Sequence, residues 1–267
     1  MCKDCGCEGV HRHTLPDGTE VVHSHQEHDH EHRHEHHDHE HDRDHHHEHD
    51  RGAKLRIAIE ENILSANDRA AALNRAEFRK RGIVAVNLIS SPGSGKTALL
   101  EKTLDLLNGV LPAAVIVGDQ RSDNDARRLE NRGAPVVQIE TGDSCHLNAE
   151  QVGKALAAVL RPETRLLFIE NVGNLVCPAA FDLGEDFKIA LLSTPEGEDK
   201  PIKYPTLFHL AKTIVLTKSD LKPHLDWDDA ECRKAIRTVN PGVFIFELSA
   251  KTGEGMTPWI DYLKGLC

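Results

Sequence analysis

Ser90–Thr97 reads SSPGSGKT, a composition suited to holding phosphate. Glycines at 93 and 95 let the backbone fold around an anion. The N–H groups there, with the first turn of a following helix, supply the positive field. In this pattern Pro92, Gly93, Ser94 and Gly95 wrap the phosphates, Lys96 reaches the β- and γ-phosphates, and the Thr97 hydroxyl ligates Mg²⁺. The motif Gly-x-x-x-x-Gly-Lys-Ser/Thr is met except at its first position, where Ser90 replaces glycine. A chance glycine turn is the alternative, and a buried strand before the loop with a helix after it argues against that.

Thr217-Lys218-Ser219-Asp220 resembles the Asn/Thr-Lys-x-Asp motif of GTPases. A carboxylate at Asp220 accepts from guanine N1–H and its 2-amino group, donors that adenine does not offer together, so the reading is GTP over ATP. Lys218 is expected along the base plane. Ser249-Ala250-Lys251 resembles the loop that supports guanine in the same proteins. Between these motifs stand the switch candidates: Asp119, which follows a strand, then Asp123 and Asp125, and Glu170 at the end of another strand. Glu170 and Gly173 make a Glu-x-x-Gly version of Asp-x-x-Gly, in which the carboxylate holds Mg²⁺ and a glycine N–H senses the γ-phosphate. Asp123 and Asp125 also suit the start of a helix, where acids favour the dipole. No glutamine stands where it would position water, so slow, switch-like hydrolysis is expected, with Lys96, Thr97, Asp125 and Glu170 as the catalytic group.

Three further sets of residues suit metal. Cys2, Cys5 and Cys7 bring three thiols together around Gly6. Sulfur donors with a terminal amine or backbone nitrogen suit square-planar Ni²⁺, and the same ligands suit tetrahedral Zn²⁺. A redox pair lacks its usual context. A histidine tract follows: His23, His25, His28, His30, His32, His34, His36, His37, His39, His41, His45, His46, His47 and His49. Fourteen imidazoles in 27 residues read as a store for several ions rather than a solvated acidic linker. Cys145, His146 and Cys177 form an incomplete set that a symmetric dimer would supply twice. Cys232 and Cys267 have no such neighbours in sequence and read as structural.

These residues need elements to hold them. Of 19 histidines, 16 lie between His11 and His49, and residues 23–50 are expected to be disordered because they lack apolar side chains. Residues 1–22 form the cysteine segment, and 51–267 have the composition of a globular domain. That domain opens with a helix over Lys54–Arg79, with Leu55, Ile59, Ile63 and Leu64 on one face. Apolar strands at Ile83–Ile89, Ala113–Val117, Val136–Ile139, Leu166–Ile169, Ile189–Leu192, Ile214–Leu216 and Val243–Phe246 then alternate with helices. The pattern predicts an α/β, three-layer fold with a mostly parallel sheet, and ligands at the carboxyl ends of its strands. A net charge of −11 argues against nucleic acid as a partner. No apolar run is long enough to span a membrane, and no signal segment is evident, so a cytoplasmic location with reduced thiols is expected. Near pH ~6.5 the tract would gain charge and release metal.

The segments CKDCGC, SSPGSGKT, TGDSCHL, ENVGNLVCPAAFDLGE and TKSD closely resemble the HypB family of GTPases, which help insert nickel into [NiFe]-hydrogenase. The likeness covers Cys2–Cys7 and about Lys54–Lys264. It implies a P-loop fold that forms a GTP-dependent homodimer and exchanges nickel with a zinc-containing, HypA-like maturation partner on the way to the hydrogenase large subunit. It further implies a high-affinity nickel site at Cys2, Cys5 and Cys7, a weaker nickel or zinc site at Cys145, His146 and Cys177, and Asp125 and Glu170 as Mg²⁺ candidates, with Asp119 as a secondary one. The urease nickel GTPase of the same superfamily is the nearest alternative, but it predicts a Cys-Pro-His motif, whereas here Cys145-His146 and Cys177-Pro178 stand apart. A non-catalytic nickel or zinc store, carried by the tract, is the alternative from another class.

Overall fold

The computed structural model describes residues 11–14, 20–23, 45–120, 124–142 and 144–267, with side chains described from residue 62 onward. Cys2, Cys5, Cys7, the tract histidines from His25 to His41, and Asp123 lie outside the described residues. The chain divides into two units, Met1–Arg51 and Gly52–Cys267. In the first, β1 (His11–Thr14) and β2 (Glu20–His23) pair antiparallel with His11 opposite His23.

Helix α1 (His45–Arg81) starts within the histidine tract, earlier than the expected Lys54, and runs through Gly52. Its first turns carry polar and charged side chains, which helix tolerates without an apolar face. Its basic last turn, Arg79 to Arg81, suits the dipole, and Gly82 ends it at a φ of 64°. The expected apolar face is not the packed one. Ile63 is 54% exposed and Leu64 38%, whereas Asn67, Ala71, Asn74 and Phe78 are buried. Two buried asparagines replace apolar residues because backbone groups satisfy them. Asn67 donates to the Asp182 carbonyl at 2.8 Å, and Asn74 to those of Ala149 and Leu183 at 2.7 and 3.0 Å.

Seven strands form one sheet: β3 (Val84–Ile89), β4 (Ala113–Asp119), β5 (Val136–Glu140), β6 (Leu166–Glu170), β7 (Phe187–Ser193), β8 (Ala211–Thr217) and β9 (Phe244–Glu247). Every pairing is parallel and the spatial order is β5-β4-β6-β3-β7-β8-β9. Crossover helices α2 (Lys96–Leu107), α3 (Asn124–Leu129), α4 (Ala149–Val159) and α8 (Asp229–Val239), with the final helix α9 (Met256–Lys264), cover both faces, and short helices α5 (Cys177–Ala180), α6 (Lys200–Lys203) and α7 (Pro205–Leu210) lie between β6 and β8. Val86 and Leu88 of β3 join one core with Leu99, Leu104 and Trp259, while Ala85 joins another with Phe78, Val152 and Leu156 on the opposite face. Burial on both faces explains the unbroken apolar strands. Among the described residues no helix is long and apolar enough to cross a membrane.

Candidate nucleotide and metal site

The central strand β3 runs into the 90–97 loop, and α2 starts at Lys96, so the loop's N–H groups and the helix start share one mouth of the sheet. Gly93 and Gly95 hold φ values of 75° and 93°, a region that costs side-chain-bearing residues energy. Ser90 takes no such conformation, so the motif's missing first glycine is not required here. Its hydroxyl instead accepts from Lys96 Nζ at 3.0 Å and donates to the Ser91 carbonyl at 2.8 Å. Burial pushes the Lys96 ammonium below its ordinary pKa, and the fields of Glu170, Asp125, Glu196 and Asp119 oppose this. A buried cation of this kind is what a phosphate bound to the loop would stabilise.

Glu170 ends β6 beside β3 and accepts from the Thr97 hydroxyl at 2.7 Å. It is 3% exposed, and burial raises its carboxyl to about 7 even though Lys96 and the Thr97 hydrogen bond pull the other way. Its second oxygen, Oε2, is buried with no hydrogen-bond partner. Such an orphan beside the Thr97 hydroxyl fits a divalent cation, for which hard oxygen donors are the right chemistry. Asp125 lies on α3, where its field reaches both Lys96 and Glu170 and Arg128 approaches it at 3.5 Å. Asp119 closes β4 and accepts from the Gln120 N–H through its side chain at 2.6 Å. Gly173 touches Pro92 of the loop so closely that a Cβ there would stand 3.0 Å from Pro92 Cα.

The 217–220 and 249–251 segments converge on one cavity. A cavity of about 300 Å³ is lined by Gly95, Lys218, Asp220, Ser249, Ala250 and Lys251 among others. Ser249 donates to Asp220 Oδ1 at 2.6 Å, fixing the carboxylate's orientation. Lys218, at a φ of 59°, sends its amine back to the Gly93 carbonyl at 2.7 Å, and Thr217 donates to the Ser94 carbonyl at 2.7 Å. The base loop and the phosphate loop are thus tied together.

Sequence reasoning missed the turn after β7. Glu196 accepts from Ser94 and Ser193 hydroxyls at 2.6 and 2.7 Å, while Thr194 donates to the Lys218 carbonyl at 2.9 Å. Burial disfavours the Glu196 carboxylate, but hydrogen bonds from Ser91, Ser94 and Ser193 outweigh it and hold the group below its usual range. The only sequence signal was a Ser-x-x-Glu capping pattern.

The second chemical cluster sits on the loop that leaves β5 and at the start of α5, after β6. One ligand atom from each of Cys145, His146 and Cys177 lies within 4.8 Å of the others, and all three residues are half-buried. Donors 2.0–2.3 Å from one ion stand at most roughly 4.6 Å apart, so little movement would close the set. Burial lowers the His146 pKa, which favours the neutral, ligating imidazole, and its ring packs 3.9 Å from that of Phe181. Cys145 Sγ lies 3.8 Å from His146 Nδ1. Cys232 is fully buried, which raises its thiol to about 12 and agrees with a structural role, whereas Cys267 is exposed.

Residues 84–247 match the family model described as the CobW/HypB/UreG nucleotide-binding domain. The chain is 54% identical over 208 residues to the hydrogenase maturation factor HypB of Azotobacter vinelandii, covering 78% of this chain and 69% of that protein. In fold it resembles HypB from Helicobacter pylori, solved in complex with nickel, at a TM-score of 0.71 and 35% identity, covering 75% of this chain and 94% of the other. HypB from Archaeoglobus fulgidus gives the same TM-score at 37% identity, covering 76% and 99%.

Proposed function

This chain belongs to the HypB family of hydrogenase maturation factors, within the CobW/HypB/UreG group of nucleotide-binding domains, and from that premise we propose that it is a GTP-hydrolysing nickel metallochaperone. The observation that carries the reading is the placement of the Cys145, His146 and Cys177 ligand atoms within 4.8 Å of one another on segments that follow strands β5 and β6, β6 ending on the nucleotide-site carboxylate Glu170.

Lys96 and the 93–97 backbone bind the phosphates, and Thr97, Glu170, Asp125 and Asp119 are the Mg²⁺ candidates. Mg²⁺ would neutralise charge on the β- and γ-phosphates. Asp220, oriented by Ser249, selects guanine and so GTP. Nickel is the cargo, held by the triad, with Zn²⁺ as a competing occupant of the same soft donors. Cys2, Cys5 and Cys7 form a tighter nickel site, and the tract histidines a reservoir. A GTP-dependent homodimer would complete the three-ligand set. A HypA-like zinc protein and the hydrogenase large subunit are the expected partners.

Hydrogenase activity in cells carrying Lys96→Ala, compared with GTP turnover by the purified protein, tests this. Loss of both, with nickel retained by the tail, is the expected result. Full hydrogenase activity without GTP turnover would favour the storage role instead.

A further inference from the structure

Leu147, next to the His146 ligand, is fully buried and is gripped from two sides. Its N–H donates to Asn171 Oδ1 at 3.1 Å. Its side chain lies on Gly118 so tightly that a Cβ there would stand 2.6 Å from Leu147 Cγ, so only glycine fits. Asn171 directly follows Glu170, and Gly118 directly precedes Asp119. Two acids of the nucleotide site therefore have chain neighbours pressed against one residue of the metal loop.

Asn171 is 1% exposed and has little freedom of its own. Its Oδ1 also accepts from the Val172 N–H at 3.0 Å, and its Nδ2 donates to Asn87 Oδ1 at 3.3 Å. Asn87 is anchored in turn by donating to Glu185 Oε1 at 3.3 Å, and Glu185 accepts from Lys188 at 2.7 Å. The carboxamide thus moves with the end of β6. On the loop side, Ser144 donates to the His146 carbonyl at 3.0 Å and Thr141 to the Ser144 carbonyl at 2.8 Å, so the loop is tied within itself. A displacement of Leu147 carries Cys145 and His146 along, because a close-packed interior shifts rather than yields. Cys177 sits on the same segment as Asn171, six residues on.

We propose that Asn171 is a positioning residue which, through Leu147, sets the Cys145–His146 pair relative to Cys177 according to the state of Glu170. When the Thr97 hydroxyl is withdrawn from Glu170, the carboxylate has to re-seat, and Asn171 and the Leu147 N–H follow. The proposal rests on the reading that nucleotide and metal binding at these sites are coupled.

The test uses the full chain carrying Cys2→Ala/Cys5→Ala/Cys7→Ala, so that thiolate-to-nickel absorption reports the triad; Cys145→Ser/Cys177→Ser should abolish the signal. Nickel is titrated without nucleotide and with Mg²⁺ and a non-hydrolysable GTP analogue. In the parent the two nickel affinities should differ by about tenfold. Asn171→Ala should reduce that ratio to about twofold or less while nucleotide affinity stays within about threefold, and Asn171→Asp, which keeps the acceptor for Leu147, should restore most of it. Asn74→Ala removes an equally buried carboxamide that bonds to Ala149 and Leu183 instead, and should leave the ratio intact. Should Asn171→Ala fail to fold, Gly118→Ala, checked for folding by its melting temperature, displaces Leu147 from its other side and should lower the ratio likewise. An unchanged ratio in Asn171→Ala, or in Gly118→Ala where that variant stands in, overturns this proposal alone, as does an equal loss in Asn74→Ala. A parent with no ratio at all overturns the coupled reading as well.

Discussion

Glu170→Gln should make the empty protein more stable while crippling its nucleotide chemistry. The carboxyl is buried, one oxygen lacks a partner, and its pKa moves from 4.5 to about 7. A carboxyl whose folded pKa is raised binds its proton more tightly in the folded state. Its contribution is therefore fully present below the unfolded value near 4.5 and is lost as pH rises through about 7. At about 1.4 kcal/mol per pH unit, that interval corresponds to about 3 kcal/mol. Glutamine keeps an oxygen for the Thr97 hydroxyl and has no such loss. Denaturant unfolding of both proteins, free of nucleotide and metal, should give nearly equal stabilities at pH 4.5 and a variant ahead by about 2–3 kcal/mol at pH 8. Adding Mg²⁺ and GTP should reverse the order, because the carboxylate is then needed. A difference independent of pH, or a variant weaker than the parent at pH 8 without ligand, would refute the reasoning.

Asp220→Ala should lower GTP affinity by about 100-fold or more and narrow the preference over ATP, measured by competition binding, because the carboxylate that accepts from the guanine donors is lost. Cys177→Ser should weaken nickel binding at the triad by about tenfold or more, with a melting temperature within about 2 °C of the parent, since the residue is half-buried. Glu196→Gln should raise the KM for GTP more than it lowers kcat, because the carboxylate braces Ser94 of the phosphate loop rather than meeting the reacting atoms. Ser90→Gly should leave nucleotide affinity within about threefold, as Ser90 shows no positive φ, which steady-state kinetics would check.

The sheet was legible because each strand is a short apolar run bounded by turns, and the ends of six expected strands fall within two residues of the observed ones, β8 alone starting three residues earlier. The nucleotide motifs were legible because their chemistry is local: Gly93 and Gly95 need left-handed backbone, and Asp220 and Ser249 meet because both leave adjacent strands, β8 and β9. The packed face of α1 was not. Asn67 and Asn74 look solvent-bound in a hydrophobicity pattern, and only the folded chain supplies the carbonyls of Asp182, Ala149 and Leu183 that let them be buried. Helix α8 has only a weak apolar pattern, since its buried set is Cys232, Ala235 and Ile236, although Asp228 caps it by accepting from the N–H groups of Ala230 and Glu231. Glu196 and Asn171 lay hidden for the same reason as the asparagines, because their partners are about a hundred and 24 residues away in sequence.

The central claim is that nickel affinity depends on the nucleotide held between Lys96 and Asp220. Calorimetric nickel titration of the unmodified protein in its nucleotide-free, GDP-bound and GTP-analogue-bound forms tests it most directly. The account predicts that one class of sites changes affinity by about tenfold between the GDP and GTP-analogue forms while the remaining sites stay constant. Three superimposable titrations would contradict it.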